Sequence, residues 1–583
     1  MQGQSRSAPK RLTGSGPAPS VGFLIDWLGN SPYQWQILRG AMRAAEERRA
    51  HLLCFVGGTL APGDPPNPAN GVFELARPRN IDGVAVLSSS LGNAAGLERL
   101  KSFVATFTAV PTCSIAVPLS ADISSVCPDN AAGMRAVVEH LIHVHAIKRI
   151  AFVRGPATSD EAELRFRVYR ETIESSGIRY ARELVVDGDF NRPAGHAAVS
   201  VLFGTRALSV SDVGAIVAAN DLMALGALDE LRERGIRVPE QIAVAGFDDV
   251  KQSAFASPPL TTARQKLEEL GSEGVRMVLD QLGRPNKPEQ SLRHTELVTR
   301  RSCGCPPGGG LNRRSSVPAG PSLGFDAAIV RRRQNILAEM ARAARGTLGA
   351  AGSQWDARLL NAVSEQVRGD GPDAFLRVYD EILRRLVAAG SDVSVCNDVL
   401  SVLRARVVRA VSDPVLRNRV EDSFHEARVM TSNAVEGLQA VASLRTWDDA
   451  LHLMGAGAAM MAARTMDELA RIVHERLPAA GIPRCFIVRL DESPGAPPLG
   501  RVVLAEKPDA RKSDPTLVTT YPLADVLRQV MLDDSGEHAF AIFPASYANG
   551  DRAIIAVELG HIEGFGYEAL RLTLTSALSR MPV

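Results

Sequence analysis

Short apolar runs alternate with stretches of helical periodicity along the first half of the chain. The runs lie at residues 21–25, 52–56, 81–87, 113–117, 149–153, 215–219 and 242–247. Because consecutive positions are apolar, each run predicts a strand buried on both faces, as in a parallel sheet. One intervening helical face is formed by Met134, Val137, Val138, Leu141 and Ile142. This order predicts an α/β protein with doubly wound parallel sheets, and a length of about 280 residues favours two lobes.

The remaining sequence changes character at two places. A stretch rich in Gly, Pro and Ser at 301–325 predicts a linker, and helical spacing with few strand signals continues over 326–450. Over 451–583, helical segments mix with strand-like runs, which predicts a small α+β domain closed by a C-terminal helix. Residues 1–20 have the composition of a flexible tail. Within the α/β part, 21–300, we expect a first lobe at 21–127 plus 260–292 and a second lobe at 128–258.

Composition excludes several classes of protein. The 583 residues contain 66 Lys+Arg and 65 Asp+Glu, so the net charge of +1 indicates no basic surface spread over the whole molecule, although a local patch stays open. Seven cysteines are too few for a disulfide-built secreted scaffold. The basic N-terminus lacks the apolar segment of a secretory signal, and no apolar run is long enough for a membrane span. The sequence therefore predicts a cytoplasmic protein without membrane association.

Polar side chains directly follow several of the predicted strands. They are Asp26, Asn30, Tyr33 and Trp35 after the first run, Asp129 and Asn130 after a strand near Val126, Asn220 and Asp221 after 215–219, and Asp248 and Asp249 after 242–247, with Arg165 in the helix that follows 149–153. In open α/β sheets, ligands bind at the carboxyl ends of the strands. Amides, carboxylates and a guanidinium beside an aromatic ring suit a small polyhydroxylated or heterocyclic ligand. The alternative for each Asp or Asn is a helix N-cap, and the convergence of five sites favours the ligand.

Three segments carry a family resemblance. Residues 217–271, which begin VAANDLMALGALDELRERG, resemble the effector-binding domain of LacI/GalR-type regulators, as do 129–142 and 148–156. The resemblance covers 21–300 and implies the two-lobed periplasmic-binding-protein-like fold, a homodimer, and a sugar, nucleoside or related metabolite between the lobes. It places ligand contacts at Tyr33, Asp129, Arg165, Asn220, Asp221 and Asp248.

The same family normally begins with a helix-turn-helix, and no such pattern is visible in the about twenty residues before the first strand. Two hypotheses therefore stay open. In the first, the protein is a transcription regulator with a DNA-binding surface on this chain or on a partner. In the second, it is a DNA-independent sensor or scaffold that controls a separate histidine kinase or nucleotide cyclase.

Residues 451–583 resemble a divergent GAF-like sensor domain. The similarity lies in 460–493 as opening helix and first strand, 539–559 as late hairpin, and 566–580 as closing helix. Motifs of nucleotide cyclases, P-loop enzymes, zinc proteases and serine hydrolases are absent. His425 lacks the sequence context of a kinase phospho-acceptor. We therefore expect a binding protein, not an enzyme, without a cofactor.

Other candidate sites favour structural interpretations. Cys303 and Cys305 provide only two thiolates where a structural zinc site needs four ligands. An ordinary loop is therefore expected, with redox sensing and a metal site shared across a dimer as lesser alternatives. His143 and His145 lie at a helix end, where histidine complements the terminal carbonyls. No metal ligand is therefore predicted. The basic run 331–333 indicates a solvated helix face, with a nucleic-acid-binding patch as the less favoured alternative.

Overall fold

The structure is a computed structural model that describes residues 18–29, 32–61, 67–283, 287–305, 325–369, 371, 373–491, 499–504, 520–523, 525–532, 537–547 and 551–581. The first seventeen residues of the predicted tail and residues 306–324 of the predicted linker lie outside these ranges. The chain divides into two compact units, one of residues 1–309 with 449–583 and one of residues 310–448. None of the helices in the described ranges combines the length and apolarity that crossing a membrane requires.

The first lobe is built around parallel strands. In chain order its elements are β1 (Ser20–Ile25), α1 (Pro32–Glu47), β2 (His51–Val56), β3 (Gly83–Leu87), α2 (Ser88–Gly92), α3 (Leu97–Ala105), β4 (Thr112–Ile115) and β5 (Ser124–Pro128). The strands lie side by side in the order β5-β4-β3-β1-β2, all parallel. Every residue of these strands is buried. The consecutive apolar runs therefore form strands covered on both faces, and this prediction is confirmed.

The second lobe repeats the βα order. Its elements are α4 (Asn130–His143), β6 (Ile150–Val153), α5 (Asp160–Ser175), β7 (Val185–Val186), α6 (Arg192–Ser200), β8 (Ala215–Ala218), α7 (Asp221–Glu233), β9 (Ala243–Asp248), α8 (Lys251–Phe255) and β10 (Thr261–Arg264). The strand order β10-β9-β8-β6-β7 is parallel throughout.

The chain then returns to both lobes before leaving them. Helix α9 (Leu267–Gln281) and strand β11 (Gln290–Arg293) complete the first lobe, where β11 pairs with β5. Strand β12 (Glu296–Val298) pairs antiparallel with β10, and a 3-10 turn at Arg301–Cys303 follows in the second lobe. The expected lobe boundary at 260 differs from the structure, since the polar run Thr261–Arg264 is a strand of the second sheet.

Helices in both lobes approach each other through glycine. In the first lobe, a Cβ on Gly40 of α1 would lie 1.9 Å from the backbone oxygen of Glu268 at α9. In the second lobe, a Cβ on Gly226 of α7 would lie 1.9 Å from the backbone oxygen of Arg192 at α6. Both helix pairs therefore pack more closely than any larger residue at these positions would permit.

The unit of residues 310–448 is helical. It contains α10 (Phe325–Ala343), α11 (Trp355–Arg368), α12 (Ala374–Ala388), α13 (Cys396–Ala410) and most of α14 (Pro414–Ala462). Its core is separate and includes Ile336, Met340, Leu360, Phe375, Tyr379, Leu400 and Phe424. The predicted helical character of this region is confirmed.

Beyond α14 lies a region that we call the C-terminal module, residues 463–581. It consists of α15 (Met466–Arg476), β13 (Cys485–Asp491), β14 (Leu499–Leu504), β15 (Thr520–Pro522), α16 (Val526–Val530), β16 (Ala539–Ser546), β17 (Arg552–Glu558) and α17 (Gly564–Leu578). The strands form an antiparallel sheet in the order β16-β17-β13-β14-β15. The α+β composition and the closing helix agree with the prediction for 451–583.

The sheet of the C-terminal module continues the sheet of the first lobe. Strand β16 lies parallel to β2, with Ala541 opposite Cys54 in the register, and the Leu52 N–H donates to the His538 carbonyl at 2.8 Å. Phe540 and Leu53 belong to the same buried cluster. The expectation of a separate C-terminal domain is therefore corrected, since eleven strands form one sheet.

Candidate functional site

The chain crosses between the two lobes three times, and polar side chains lie at these crossings. The first crossing ends at Asp129, whose backbone N–H donates to the carbonyl of Arg293, at the third crossing, over 2.8 Å. The second crossing contains the buried Gln265. Because these segments join both lobes, side chains on or beside them change their surroundings whenever the lobes move.

Arg165 is the centre of a polar network on the second lobe, and it is only 3% exposed. Its Nε donates to Asn130 Oδ1 at 2.9 Å, and its Nη1 donates to the Ala219 carbonyl at 2.8 Å. Its Nη2 lies 3.4 Å from Glu161 Oε1, which also accepts from Asn130 Nδ2 at 2.9 Å. The guanidinium covers the Phe247 ring, with Cζ 4.0 Å from the ring centroid. The plane of this cation is therefore fixed by α4, β8 and β9.

Asp248 ends β9 beside that guanidinium. Its Oδ1 accepts from Gln265 Nε2 at 2.6 Å and lies 3.7 Å from Arg165 Nη1. The φ angles are +120° at Asp248 and +60° at Asp249, a range that residues other than glycine rarely adopt. The Arg300 guanidinium, 2.7 Å from an oxygen of Asp249, helps to hold the turn. Because strained backbone concentrates at functional sites, the conformation of this strand end supports a binding role.

Tyr33 is the predicted site residue that belongs to the first lobe. It is half-buried on α1, and its hydroxyl lies 3.2 Å from Ser89 Oγ. Burial raises the pKa of Tyr33 well above its ordinary value, and the charges of Glu161 and Asp248 raise it further. Tyr33 is therefore within electrostatic reach of the acids around Arg165. Among the predicted site residues, the structure brings Arg165 and Asp248 together directly, with 3.7 Å between Arg165 Nη1 and Asp248 Oδ1.

The other three predicted residues make structural contacts. Asp129 accepts from the Ala132 N–H at 2.9 Å and caps α4, while Asn220 accepts from the Met223 N–H at 3.0 Å and caps α7. Both are the N-caps that the alternative interpretation predicted.

Asp221 lies inside the second lobe and is fully buried. Its carboxylate accepts from the Val250 N–H at 3.0 Å and from the hydroxyls of Ser253 and Thr262, each at 2.6 Å. These bonds join α7 to the segment after β9 and to β10. The geometry supports a structural role for Asp221 in place of the predicted ligand contact.

Sequence reasoning left Glu161 and Gln265 out of the site. Glu161 lies four residues before Arg165 on α5, a spacing that places both on one face of a helix. Asn130 is among the polar residues expected after the strand near Val126, and the structure places it in the network as the first residue of α4. Only the helical spacing of Glu161 is a signal that could have been used, because Gln265 has no distinguishing pattern around it.

The network contains more acid than base. Burial raises the pKa of Glu161, although the Arg165 charge and the Asn130 amide oppose this effect. Burial also raises the pKa of Asp248 well above its ordinary value, again against the Arg165 charge. In the first lobe, burial raises the pKa of Asp26, which follows β1. One guanidinium therefore lies among several carboxyl groups. Hydrogen-bond donors on a ligand would stabilise the charged form of these carboxyl groups.

Comparison with known proteins gives consistent findings for this part of the chain. Residues 138–303 match the periplasmic binding protein-like domain family. The chain is 37% identical over 181 residues to the HTH-type transcriptional regulator CelR of Thermobifida fusca, which covers 31% of this chain and 52% of that protein. It is 27% identical over 302 residues to the HTH-type transcriptional repressor PurR of Mannheimia succiniciproducens, which covers 51% of this chain and 85% of that protein.

A solved structure of a CelR–cellobiose complex is 30% identical and covers 49% of this chain and 85% of that chain, with a TM-score of 0.42. The chain spans about half the length of the first of these relatives, at 52%.

Proposed function

We propose that this protein is a ligand-responsive regulator of transcription with an effector-binding domain of the LacI/GalR type in its first half. The match of residues 138–303 to the periplasmic binding protein-like domain and the similarity to the PurR repressor support this proposal. The ligand is a neutral metabolite with several hydroxyl or ring N–H groups, such as a sugar or a nucleoside. It binds between the lobes, with the network around Arg165 and Asp248 on the second lobe and Tyr33 on the first lobe. The buried network of Arg165, Glu161 and Asp248 is the observation that carries the proposal.

The chemistry of the network supports a neutral ligand. Carboxyl oxygens of Glu161 and Asp248 accept hydrogen bonds from hydroxyl groups, and the Arg165 guanidinium donates to an ether, carbonyl or ring nitrogen. Tyr33 offers an aromatic face and a hydroxyl. A phosphate or carboxylate would meet two acids for one cation in a buried site, where an unpaired charge is costly. Asp129, Asn220 and Asp221 act indirectly, by holding the helices and strands that form the site.

Ligand binding is expected to change the relation between the lobes. A ligand that contacts both lobes stabilises the arrangement in which those contacts exist, and without such a difference nothing is transmitted. The first lobe shares its sheet with the C-terminal module, which we propose to be a divergent GAF-like sensor domain. The helical unit exposes Leu444 and Trp447, three residues apart on α14 and 69% and 70% exposed, and this apolar face supports a homodimer.

The relatives named above are transcriptional regulators and give no support to the alternative of a DNA-independent partner of a kinase or cyclase. They also favour binding over catalysis as the task of the polar network. We place the protein in the cytoplasm, as its expected contact with DNA requires.

A thermal-shift screen of the full-length protein tests the proposal. Neutral sugars, nucleosides and nucleobases are compared with sugar phosphates and sugar acids, and a ligand at 100 times its Kd should stabilise the protein by about 2.7 kcal/mol. Arg165→Ala should remove the ligand-induced shift, measured against the variant's own unliganded Tm. Arg167→Ala is the matched control, because Arg167 lies on the same helix and is exposed.

Two outcomes would contradict the site: a full ligand-induced shift in Arg165→Ala, or stabilisation by anionic compounds alone. A mobility-shift assay with the DNA upstream of the gene then tests the output. Specific, salt-sensitive retardation that changes with the ligand supports a transcription regulator. Unchanged DNA mobility would support the DNA-independent alternative instead.

A further inference from the structure

Four metal-binding side chains meet where the chain leaves the second lobe. His140 belongs to the last turn of α4, and His145 lies two residues beyond that helix. Cys303 ends the 3-10 turn after β12, and Cys305 is two residues further along. One ligand atom from each of the four lies within 4.8 Å of all the others.

The distances are those of a tetrahedron of ligands. His140 Nε2 lies 3.2 Å from His145 Nε2 and 3.4 Å from the sulfur atoms of Cys303 and Cys305. Cys305 Sγ also lies 3.4 Å from His145 Nε2. Zinc bonds of about 2.0–2.1 Å to nitrogen and about 2.3 Å to sulfur, at tetrahedral angles, require about 3.3 Å between the nitrogens and about 3.6 Å from nitrogen to sulfur.

Hydrogen bonding among the four groups does not account for this arrangement. His140 Nε2 faces three partner atoms at once, on His145, Cys303 and Cys305. A ring nitrogen carries either one N–H or one lone pair, so it makes one such bond well. Three neighbours at nearly equal distance from one nitrogen are instead expected when all four atoms point at a common centre.

The backbone around the two cysteines is fixed for this geometry. Gly304 between them has a φ of +99°, and its N–H donates to the Arg301 carbonyl at 2.9 Å. Ser302 is fully buried, donates to the Val244 carbonyl at 2.6 Å and accepts from the Thr261 N–H at 2.8 Å. The cysteine pair is thereby attached to strands β9 and β10 of the second lobe.

We propose that His140, His145, Cys303 and Cys305 bind a structural Zn²⁺ ion. Two imidazole nitrogens and two thiolates form a closed set of four ligands, which leaves no position for a substrate and gives the ion a structural role. The ion joins the end of α4 to the last segment of the sensor before the chain continues toward the helical unit. The proposal replaces the expectation of an ordinary loop, because two of the four ligands come from a distant part of the sequence.

Metal analysis of the full-length protein tests the site. After expression in zinc-supplemented medium and gel filtration, we expect about one zinc per chain by plasma mass spectrometry. Cys305→Ser and His145→Gln should each lower the zinc content at least about tenfold in dilute chelator. His143→Gln is the matched control, since His143 lies at the same helix end, is exposed and should leave the zinc content unchanged.

X-ray absorption on the wild-type protein gives a second test that needs no variant to fold. Two sulfur neighbours at about 2.3 Å and two nitrogen neighbours at about 2.0–2.1 Å are expected. Wild-type protein without zinc, zinc retained in both ligand variants, or an intact mass lower by two hydrogens from a Cys303–Cys305 disulfide would each overturn the proposal.

Discussion

The two lobes have the same βα order but differ at the edges of their sheets. In the second lobe, the edge strands β12 and β7 both come from the sensor itself. In the first lobe, the edge at β2 is occupied by β16 of the C-terminal module, and the two share buried clusters on both sides of the sheet. The first lobe and the module therefore share one sheet and one core, whereas the second lobe has a sheet of its own. If the proposed ligand binds between the lobes, we expect it to shift the second lobe relative to the first lobe and the module together.

The largest expected loss of stability comes from removing one large core side chain from the sheet shared by the first lobe and the module, or one from the sheet of the second lobe. Phe540→Ala and Phe152→Ala each delete a fully buried ring and should cost about 3–5 kcal/mol. Hydrogen exchange should show lost protection in both β2 and β17 for Phe540→Ala, because both strands pair with β16. For Phe152→Ala, which removes a ring stacked 4.5 Å from Tyr169, the loss should stay within the second lobe. Unchanged protection of β2 in Phe540→Ala would show that the first lobe is independent of the module.

An intermediate effect is expected from the close helix contacts that both lobes share. Gly40→Ala and Gly226→Ala should each destabilise their own lobe by about 1–3 kcal/mol, because the added methyl group meets backbone rather than a movable side chain. Urea unfolding followed by a probe in each lobe measures this. Gly204→Ala is the control, since a Cβ there meets open space. Equal stability of Gly40→Ala and Gly204→Ala would contradict the close approach of α1 and α9.

The smallest effect is expected from an ion pair that joins the first lobe to the module. Arg528 Nη2 lies 2.8 Å from Asp82 Oδ1, and both side chains are about one-third exposed, at 33% and 35%. Arg528→Ala should therefore cost less than about 1 kcal/mol, and less still at high salt. Arg192→Ala, which breaks a surface pair with Asp229 inside the second lobe, is the matched comparison. A loss above about 2 kcal/mol for Arg528→Ala alone would mean that the charge pair, and not the shared sheet, attaches the module.

Apolar patterning predicted β1 to β4, β6, β8 and β9, because each of these strands is buried on both faces and leaves a continuous run in the sequence. It missed the short β7 and the partly exposed β11 and β12. It also missed β10, since the segment Thr261–Arg264 contains one aliphatic residue and pairs through its backbone on both edges. It also treated the C-terminal module as separate. Pairing between β2 and β16 depends on backbone N–H and C=O groups, which nearly every residue carries. No residue pattern therefore predicts this pairing.

Site residues could be predicted where they follow the ends of predicted strands. They could not be predicted where their role depends on neighbours that are distant in the sequence. Arg165 and Asp248 lie in one network, as the family resemblance implied, while Asp129 and Asn220 cap helices. A carboxylate after a strand has the same sequence appearance whether it caps a helix or faces a ligand. The cluster of two histidines and two cysteines could not be predicted for a related reason. The histidines and the cysteines lie about 160 residues apart in the sequence, and only the fold brings them together.

The shared sheet has a consequence for synthesis on the ribosome. Strand β2 ends at Val56, and its partner β16 begins at Ala539, so roughly 480 residues must be translated between them. At about 5–20 residues per second, the backbone edge of β2 stays without its native neighbour for roughly 25–100 s. During that interval the nascent first lobe presents a free strand edge to other chains. The yield of correctly folded protein in the cell is therefore expected to depend on how well that edge is shielded until the C-terminal module emerges.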